Sequence, residues 1–175
     1  MDVFYYWKDF AADMKEGKVG RFRSSKDRLD ELQAGCPNYI WAFKTPAGRK
    51  GELQLLARLL WSDKSLFKFT PTSGESQIYY DPDHTDSVWF EGTDCDAELE
   101  KTTRWLRSHI PAAHASNFQG VNGQHAMRGL VVSELNSISK TLKTRPFRVR
   151  LETTTAKLTP RSKMVRPVIR TLRAP

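Results

Sequence analysis

The first 43 residues, MDVFYYWKDFAADMKEGKVGRFRSSKDRLDELQAGCPNYIWAF, decide the fold, because short strand and helix patterns alternate within them. The apolar, aromatic run 1–7 predicts a buried strand, and residues 8–16, closed by a glycine, predict a short helix. Residues 19–25 predict a loop whose serines cap a second helix over 26–33. Residues 39–43 predict the next strand. This alternation predicts a mixed α+β domain.

Three later runs of apolar residues favour strands. They are 52–61, the end of 68–80, and 87–91. Pro46, Gly48 and Gly51 precede the first of these runs, so we expect it to pair with 39–43 as a hairpin. The hairpin predicts antiparallel strands in the middle of the chain. A further short strand is expected at 147–151.

Two later segments favour helices. Residues 94–106 place Leu99 and Leu106 on one face, and acidic residues occupy the first turns, where the helix dipole favours negative charge. The clearest helical pattern covers residues 125–142. Its apolar residues step by three or four along one face, and they are Met127, Val131, Leu135, Ile138 and Leu142. Residues 110–123, between the two helices, predict a loop.

The formal charge of +8 comes from one end of the chain. The sequence has 28 Lys or Arg residues and 20 Asp or Glu residues. Residues 145–175 hold nine of the basic residues and only one acidic residue, so residues 1–144 carry equal numbers of each sign. We therefore divide the chain into a domain over 1–150 and a basic tail or linker over 151–175.

The composition excludes several classes of protein. No apolar run reaches the roughly 20 residues that a membrane helix needs, and the N-terminus does not have the pattern of a signal peptide. Cys36 and Cys95 are too few for a disulfide scaffold and lack the CxxC spacing of zinc sites. These features predict a cytoplasmic protein with no membrane partner and no cofactor.

The sequence shows no complete catalytic motif, but it leaves an enzymatic alternative open. It lacks the nucleophile-elbow, P-loop and HExxH patterns. Asp81, Asp83 and Asp86 form an acidic cluster that can hold Mg²⁺ or Mn²⁺ in a metal-dependent nuclease, although a solvated acidic loop accounts for them more simply. Residues 69–100 carry nine carboxylates and no Lys or Arg, which also suits a protein-interaction subunit with a basic partner.

The segment Arg21–Ser25, RFRSS, carries the chemistry that favours nucleic acid. Two guanidiniums, two hydroxyls and the amides of a helix start suit phosphate contacts, and Phe22 suits a splayed base. A capped helix with solvated arginines accounts for the same residues. Each tryptophan is a candidate either for the core or for stacking on a flipped or modified base. Tryptophans close to RFRSS are therefore of most interest.

Residues 4–45 resemble the opening of EVE domains, which belong to the PUA-like group together with YTH and ASCH domains. The shared order begins with an aromatic strand ending in Tyr6-Trp7 and a short helix ending in Lys15-Glu16-Gly17. A loop at 19–25 and a helix leading into the apolar strand 39–43 follow. The sequence departs from the family pattern in two places, because Gly-Cys-Pro-Asn replaces a compact Gly-Asp turn and RFRS lacks the family's asparagine.

The resemblance implies a bent, PUA-like β-barrel flanked by helices, to which the long C-terminal helix and the basic tail are added. It implies an aromatic pocket between the first strand, the loop before the second helix and the adjacent strand. On this resemblance Trp7 edges the pocket, Trp41 forms the stacking wall, and Trp89 is a more distant wall. The expected nucleic-acid-binding residues are Trp7, Arg21, Phe22, Arg23, Ser24, Ser25, Trp41 and Trp89.

Relatives of this kind hold a modified base in DNA or RNA, often one flipped out of the helix. The resemblance therefore implies a nucleic-acid-binding module that reads a modified base, with modified cytosine in DNA as the first expectation. It further implies the targeting domain of a modification-dependent restriction system. Catalytic activity would then belong to a nuclease or helicase that is fused to this domain or acts as its partner.

Overall fold

The computed structural model describes residues 1–25, 27–68, 74–118 and 120–148. The strands in these ranges are β1 (Asp2–Tyr6), β2 (Arg21–Ser24), β3 (Tyr39–Lys44), β4 (Gln54–Ser62), β5 (Ser76–Asp81), β6 (Val88–Glu91), β7 (Gln124–Met127) and β8 (Lys143–Pro146). The helices are α1 (Phe10–Lys15), α2 (Arg28–Ala34), α3 (Asp96–His109), α4 (Pro111–Ala115) and α5 (Leu130–Ser139), and a 3₁₀ turn covers Gly120–Gly123. None of these helices is long and apolar enough to cross a membrane. The predicted α+β class is confirmed.

The described strands form one sheet that curls into a half-barrel. The main path of the sheet runs β2-β5-β4-β3-β1-β7, β6 branches from β4, and β8 pairs with β6. Strands β1 and β3 are parallel, because α1, β2 and α2 provide the long crossover that parallel strands require. The remaining pairs are antiparallel, and they include the predicted hairpin of β3 and β4. Strands β2 and β7 therefore end the main path.

The sheet separates two apolar cores, because successive side chains of a strand point to opposite faces. The inner core contains Val3 and Tyr5 of β1 together with Leu29 of α2. The outer core contains Phe4 of β1 and Trp105 of α3, and it also receives side chains of α4 and α5. Both faces of the sheet are thus covered by helices.

Local sequence patterns predicted most elements of the first two thirds of the chain. The predicted strands correspond to β1, β3, β4, β5 and β6, and the predicted helices 8–16, 26–33 and 94–106 correspond to α1, α2 and α3. The leucines expected to point inward are buried, and they are Leu29, Leu32, Leu99 and Leu106. Apolar spacing was therefore sufficient for these elements.

The long helix predicted over 125–142 is wrong in its first part. Residues Gln124–Met127 form β7, which pairs with β1, and α5 begins only at Leu130. Gly129 has φ = +56°, a conformation that glycine adopts far more readily than other residues, and it turns the chain between β7 and α5. The five spaced apolar residues all belong to the outer core or pack against it. Their spacing predicted a shared core but not a continuous helix.

Three other predictions differ from the structure. The expected loop at 19–25 contains β2, which gains its strand conformation by pairing with β5. The expected loop at 110–123 contains α4 and the 3₁₀ turn. The short strand expected at 147–151 is absent at residues 147 and 148, which follow the end of β8, and residues 149–151 lie outside the described residues. The predicted tail over 151–175 lies outside them too.

Candidate functional site

A cavity of about 720 Å³ lies at the open side of the half-barrel, where β2 approaches the end of β1. We call it the seam cavity. Its wall combines the end of β1 and the connection to α1 with the end of β2, the residue before β5, the segment after α4 and the start of β7. Parts of the chain that are far apart in sequence thus meet at this one place.

Tyr5 bridges β1 and β2 beside the seam cavity, although the two strands are not neighbours in the sheet. Its hydroxyl donates to the Arg23 carbonyl at 3.4 Å, and its ring stacks on Phe22 with the centroids 4.0 Å apart. Burial, with Asp13 and Asp9 adding to it, raises the pKa of Tyr5 above its ordinary value. The hydroxyl therefore stays protonated and keeps its role as a donor.

Two stacked rings contribute an aromatic wall to the seam cavity. The Tyr6 and Phe118 centroids are 4.6 Å apart, and the rings are inclined by 17°. Phe118 is only 3% exposed and has φ = +62°. A Cβ atom on Gly123 would lie 2.7 Å from the Phe118 carbonyl oxygen and 3.3 Å from the Tyr6 Cβ. Glycine at position 123 therefore allows the chain after α4 to approach β1 closely.

Two polar side chains of the seam cavity have a buried oxygen without a hydrogen-bond partner among the described residues. Gln124 is 7% exposed, and the unpartnered atom is its Oε1. It lies opposite Tyr5 in the β1–β7 pair, so both side chains share one face of the sheet. The second atom is Oε2 of Glu75, whose Oε1 lies 3.8 Å from Nη1 of Arg23. Native proteins rarely leave such atoms unsatisfied, so a ligand that donates to them would be stabilised.

Charges of both signs surround the seam cavity. The charged residues of its wall are Lys8, Arg23, Asp9, Asp13 and Glu75. Carboxylates at the wall would repel a free phosphate, whereas an uncharged polar ring can hydrogen-bond to acids and bases alike. A cavity of this size falls within the usual range of small-molecule pockets. The wall therefore suits an uncharged heterocycle better than an anion.

Half of the site residues predicted from the sequence meet at the seam cavity. Trp7, Arg23, Ser24 and Ser25 all line it. Trp7 is only 1% exposed, and its indole N–H donates to Oδ2 of Asp13 at 2.8 Å. Trp7 therefore supports the wall from the inner core, whereas Arg23 and Ser25 are exposed at the rim.

Arg21 and Phe22 lie close by but do not line the seam cavity. Arg21 shares the outward face of β2 with Arg23, and its Nη1 donates to Oε1 of Gln77 at 3.1 Å. Phe22 points to the opposite face, where it is 2% exposed in the inner core. Phe22 is thus a core residue rather than a surface for a splayed base.

The structure does not bring Trp41, the expected stacking wall, to the seam cavity. Trp41 is fully buried in the outer core, where it stacks on Phe90 with the centroids 6.0 Å apart. Its indole N–H donates to the Asp2 carboxylate at 2.8 Å. The parallel register pairs Trp41 with Phe4, whose side chain faces away from that of Trp7. Trp41 is therefore a structural residue.

Trp89 also lies away from the seam cavity. It is 7% exposed in the inner core, and its ring stacks on Phe147 with the centroids 4.4 Å apart. It runs parallel to Trp7 at 6.4 Å, and its indole N–H donates to the Phe147 carbonyl at 2.8 Å. Its neighbours thus fill the space that a base would need.

The sequence did not single out several residues of the seam cavity. Phe118 and Glu75 lie in segments that were interpreted as a loop and an acidic stretch, and Gln124 immediately precedes the predicted helix. One local signal was available, because Gly120 and Gly123 closely follow an aromatic residue and such glycines mark a tight, close-packed turn. Gln124 is buried by the pairing of β7 with β1, and no pattern of neighbouring residues in the sequence predicts this pairing.

The acidic cluster at 81–86 does not converge on one point. Oδ1 of Asp81 accepts the Asp83 N–H at 2.9 Å, and Oδ2 of Asp83 lies 3.8 Å from Arg148. Asp86 accepts the Tyr39 hydroxyl at 3.4 Å. In the described part of the chain, no three His, Cys, Asp or Glu side chains are placed to hold a metal ion. The nuclease alternative gains no support from this arrangement.

The acidic residues at the start of α3 are already paired with basic neighbours. Asp96 pairs with Arg49, and the two glutamates of the first turns pair with Lys101 and Arg104 on the same helix. Such exposed pairs are weak, but they reduce the negative potential of this surface. A basic protein partner would therefore meet less charge here than the sequence suggests.

Comparisons of this chain with protein-family models, with curated proteins and with solved structures return no match. Its function is therefore inferred from the geometry of the seam cavity and from the sequence.

Proposed function

We propose that this protein is a nucleic-acid-binding module that holds a modified base, flipped out of DNA, in the seam cavity. Modified cytosine is the first expectation, and RNA is the alternative nucleic acid. The curled sheet flanked by helices is compatible with the PUA-like, EVE-like barrel that the sequence resembles. The module would direct a fused or partner nuclease or helicase to modified DNA, as the targeting domain of a restriction system.

The observation that carries this proposal is the buried, unpartnered amide oxygen of Gln124 in a cavity with an aromatic wall. Flipped bases are recognised by stacking on aromatic side chains and by hydrogen bonds to their polar edge. A glutamine amide offers one acceptor and two donors, which matches the alternating edge of a base. Tyr6 and Phe118 line the same cavity from the side of the outer core and supply its apolar surface.

Glu75 supports cytosine as the base. A carboxylate is the acceptor that suits the exocyclic amino group of cytosine. Oε2 of Glu75 is buried without a partner among the described residues at the seam cavity, and its Oε1 lies 3.8 Å from Nη1 of Arg23. Glu75 and Gln124 together would therefore satisfy the donors of the base that Tyr6 and Phe118 accommodate.

The test is binding of the full chain to oligonucleotides that are identical except for one base. The panel contains unmodified cytosine, 5-methylcytosine, 5-hydroxymethylcytosine and N6-methyladenine, in DNA and in RNA. We expect one modified base to bind more tightly than the unmodified base. Gln124→Leu keeps the side-chain volume but removes the amide, so it should reduce this preference by about 1–3 kcal/mol, or roughly 5- to 150-fold.

A matched pair of variants separates the seam cavity from the remaining surface. Ser25→Trp places a large ring at the rim of the cavity, whereas Ser108→Trp makes the same change on the exposed side of α3. We expect the first variant to lose the preference and the second to keep it. Equal binding of every oligonucleotide by the wild-type protein would disprove base recognition. If the preference for the modified base survives both Gln124→Leu and Ser25→Trp, the base-binding site lies outside the seam cavity.

A further inference from the structure

A second concave surface lies beside the seam cavity and is lined by cations. This cleft has a volume of about 310 Å³, and its lining includes Lys18, Arg21, Lys68 and Arg148 but no carboxylate. Ser65 and Phe67 add a hydroxyl and an aromatic ring to its wall. We call it the basic cleft. Its charge contrasts with the mixed charges of the seam cavity.

The cations of the basic cleft are only partly neutralised by neighbouring acids. Lys18 pairs with Glu16 on the surface, and Arg148 lies 3.8 Å from Asp83. Within the described ranges, no carboxylate lies within ion-pair distance of Lys68. These weak, exposed pairs leave the cleft available to an anionic ligand.

Strand β2 connects the basic cleft with the seam cavity. Arg21 lines the cleft and Arg23 lines the cavity, and both point to the outward face of β2. Two residues of a strand separate their Cα atoms by about 7 Å, since the rise is roughly 3.3 Å per residue. Burial lowers the pKa of Arg21, and repulsion by Arg23 lowers it further, so the two like charges sense each other. Positive charge thus extends from the cleft to the rim of the cavity.

The aromatic ring of the basic cleft lies against the backbone of a glycine. Gly20 has φ = +90°, and a Cβ atom there would lie 2.4 Å from Cδ2 of Phe67. The Phe67 ring therefore rests directly on the backbone before β2. The Arg148 guanidinium lies over this ring, 5.5 Å from its centroid. Cations beside an aromatic ring are the combination by which proteins bind single-stranded nucleic acid.

We propose that the basic cleft binds the phosphodiester backbone of the strand that flanks the flipped base. This inference rests on the proposed function, because the flipped base in the seam cavity fixes where its own strand must pass. A strand that runs from the cavity rim along Arg23 and Arg21 enters the cleft. Successive phosphates of a nucleic-acid backbone can each bind one of the cations of the basic cleft. A single free phosphate would leave most of these cations without an anion.

The test measures how binding of the preferred oligonucleotide to the full chain depends on salt. The variant is Lys68→Gln combined with Lys18→Gln, two exposed residues of the basic cleft. Each phosphate contact contributes about 0.9 to the slope of log K against log salt for duplex DNA, so losing two should reduce the slope by about 1.8. A rise from about 50 to about 200 mM salt should then weaken the variant about twelvefold less than the wild type.

The control combines Lys140→Gln with Lys143→Gln, which removes the same charge away from both concave surfaces. We expect the control to keep the wild-type slope, and both double variants to keep the preference for the modified base. An equal change of slope in the two double variants would overturn the inference, and so would an unchanged slope in both. In either case the preference for the modified base would still uphold the proposed function. Absence of any oligonucleotide binding at low salt would overturn both proposals.

Discussion

The position of His125 on the outer face of the sheet changes the pKa of its imidazole. It lies on β7, and its ring centroid is 6.2 Å from that of Phe4. Its Nε2 lies 3.0 Å from the Asn122 carbonyl oxygen. Burial lowers the pKa of His125, and Arg28 lowers it further, although the Asn122 carbonyl acts in the opposite direction. The folded protein therefore favours the neutral imidazole.

This shift predicts that stability falls as the solution becomes acidic. Below about pH 6.5 the unfolded chain takes up the proton first, so the free energy of unfolding decreases until the folded His125 is protonated too. Urea unfolding between about pH 7.5 and pH 5 measures the effect. His125→Gln should reduce the loss of stability in this range. An identical pH dependence in the variant and the wild type would contradict the assigned cause.

Single residues of the site differ in how far the sequence could identify them. Trp7 was identifiable because an aromatic strand ends there, and Arg23 because it lies in a segment rich in phosphate-binding side chains. Trp41 was misplaced because its face depends on the parallel register with β1, which no local pattern reveals. Gln124 was missed because its burial requires β7 to pair with β1.

At the scale of elements, β8 pairs with β6 and is anchored to the inner core by the residue that follows it. Its own four residues are exposed, and it pairs only with β6 among the described strands. The Phe147 N–H donates to the Ser87 carbonyl at 2.9 Å, and its carbonyl accepts the Trp89 indole N–H at 2.8 Å. The Phe147 ring is 6% exposed in the inner core. Phe147 thus joins β8 to the centre of the half-barrel.

Truncation of this anchor should destabilise the whole fold. We expect Phe147→Ala to lower the free energy of unfolding by about 3–5 kcal/mol, because the stack on Trp89 is lost and a cavity opens in the inner core. Urea denaturation measures the change. Phe147→Leu refills much of the volume and should cost less, and Lys143→Ala on the exposed strand should stay within about 0.5 kcal/mol of the wild type. A loss below about 1 kcal/mol for Phe147→Ala would show that β8 is held elsewhere.

The elements that the sequence predicted are those with a strong local pattern. The hairpin of β3 and β4 has long apolar strands and turn glycines, and α3 has a clear apolar face. Strands β2 and β7 have only four residues each and end the main path of the sheet. Their conformation comes from their partners, so the pattern of neighbouring residues predicted a loop and a helix in their place.

At the scale of the molecule, basic and acidic side chains are distributed unevenly over the surface. The net charge of 1–144 is zero, yet three of its cations lie together with Arg148 in the basic cleft, while the seam cavity has mixed charges. The α+β class followed from the order of elements along the sequence. The half-barrel and its open side depend on pairings between distant segments, so no local pattern predicted them, and only the resemblance of residues 4–45 implied a bent β-barrel flanked by helices.

The basic residues of 152–175 should contribute affinity without preference. Replacing all six Lys and Arg residues of this segment by Gln should weaken binding to modified and unmodified oligonucleotides by the same factor, because phosphate contacts carry no information about the base. Titrations of both oligonucleotides at one salt concentration measure the two factors. A change in their ratio would show that the segment takes part in base recognition.

The seam cavity takes its wall from β1, β2, β7 and the segments beside α1, α4 and β5, so it exists only when the whole half-barrel is assembled. A ligand in this cavity binds the native state and not the unfolded chain, and it must therefore stabilise every element at once. At a concentration one hundred times its dissociation constant, such a ligand adds about 2.7 kcal/mol to the free energy of unfolding. The melting temperature of the protein consequently reports on any compound that fills the cavity, whatever its chemical class.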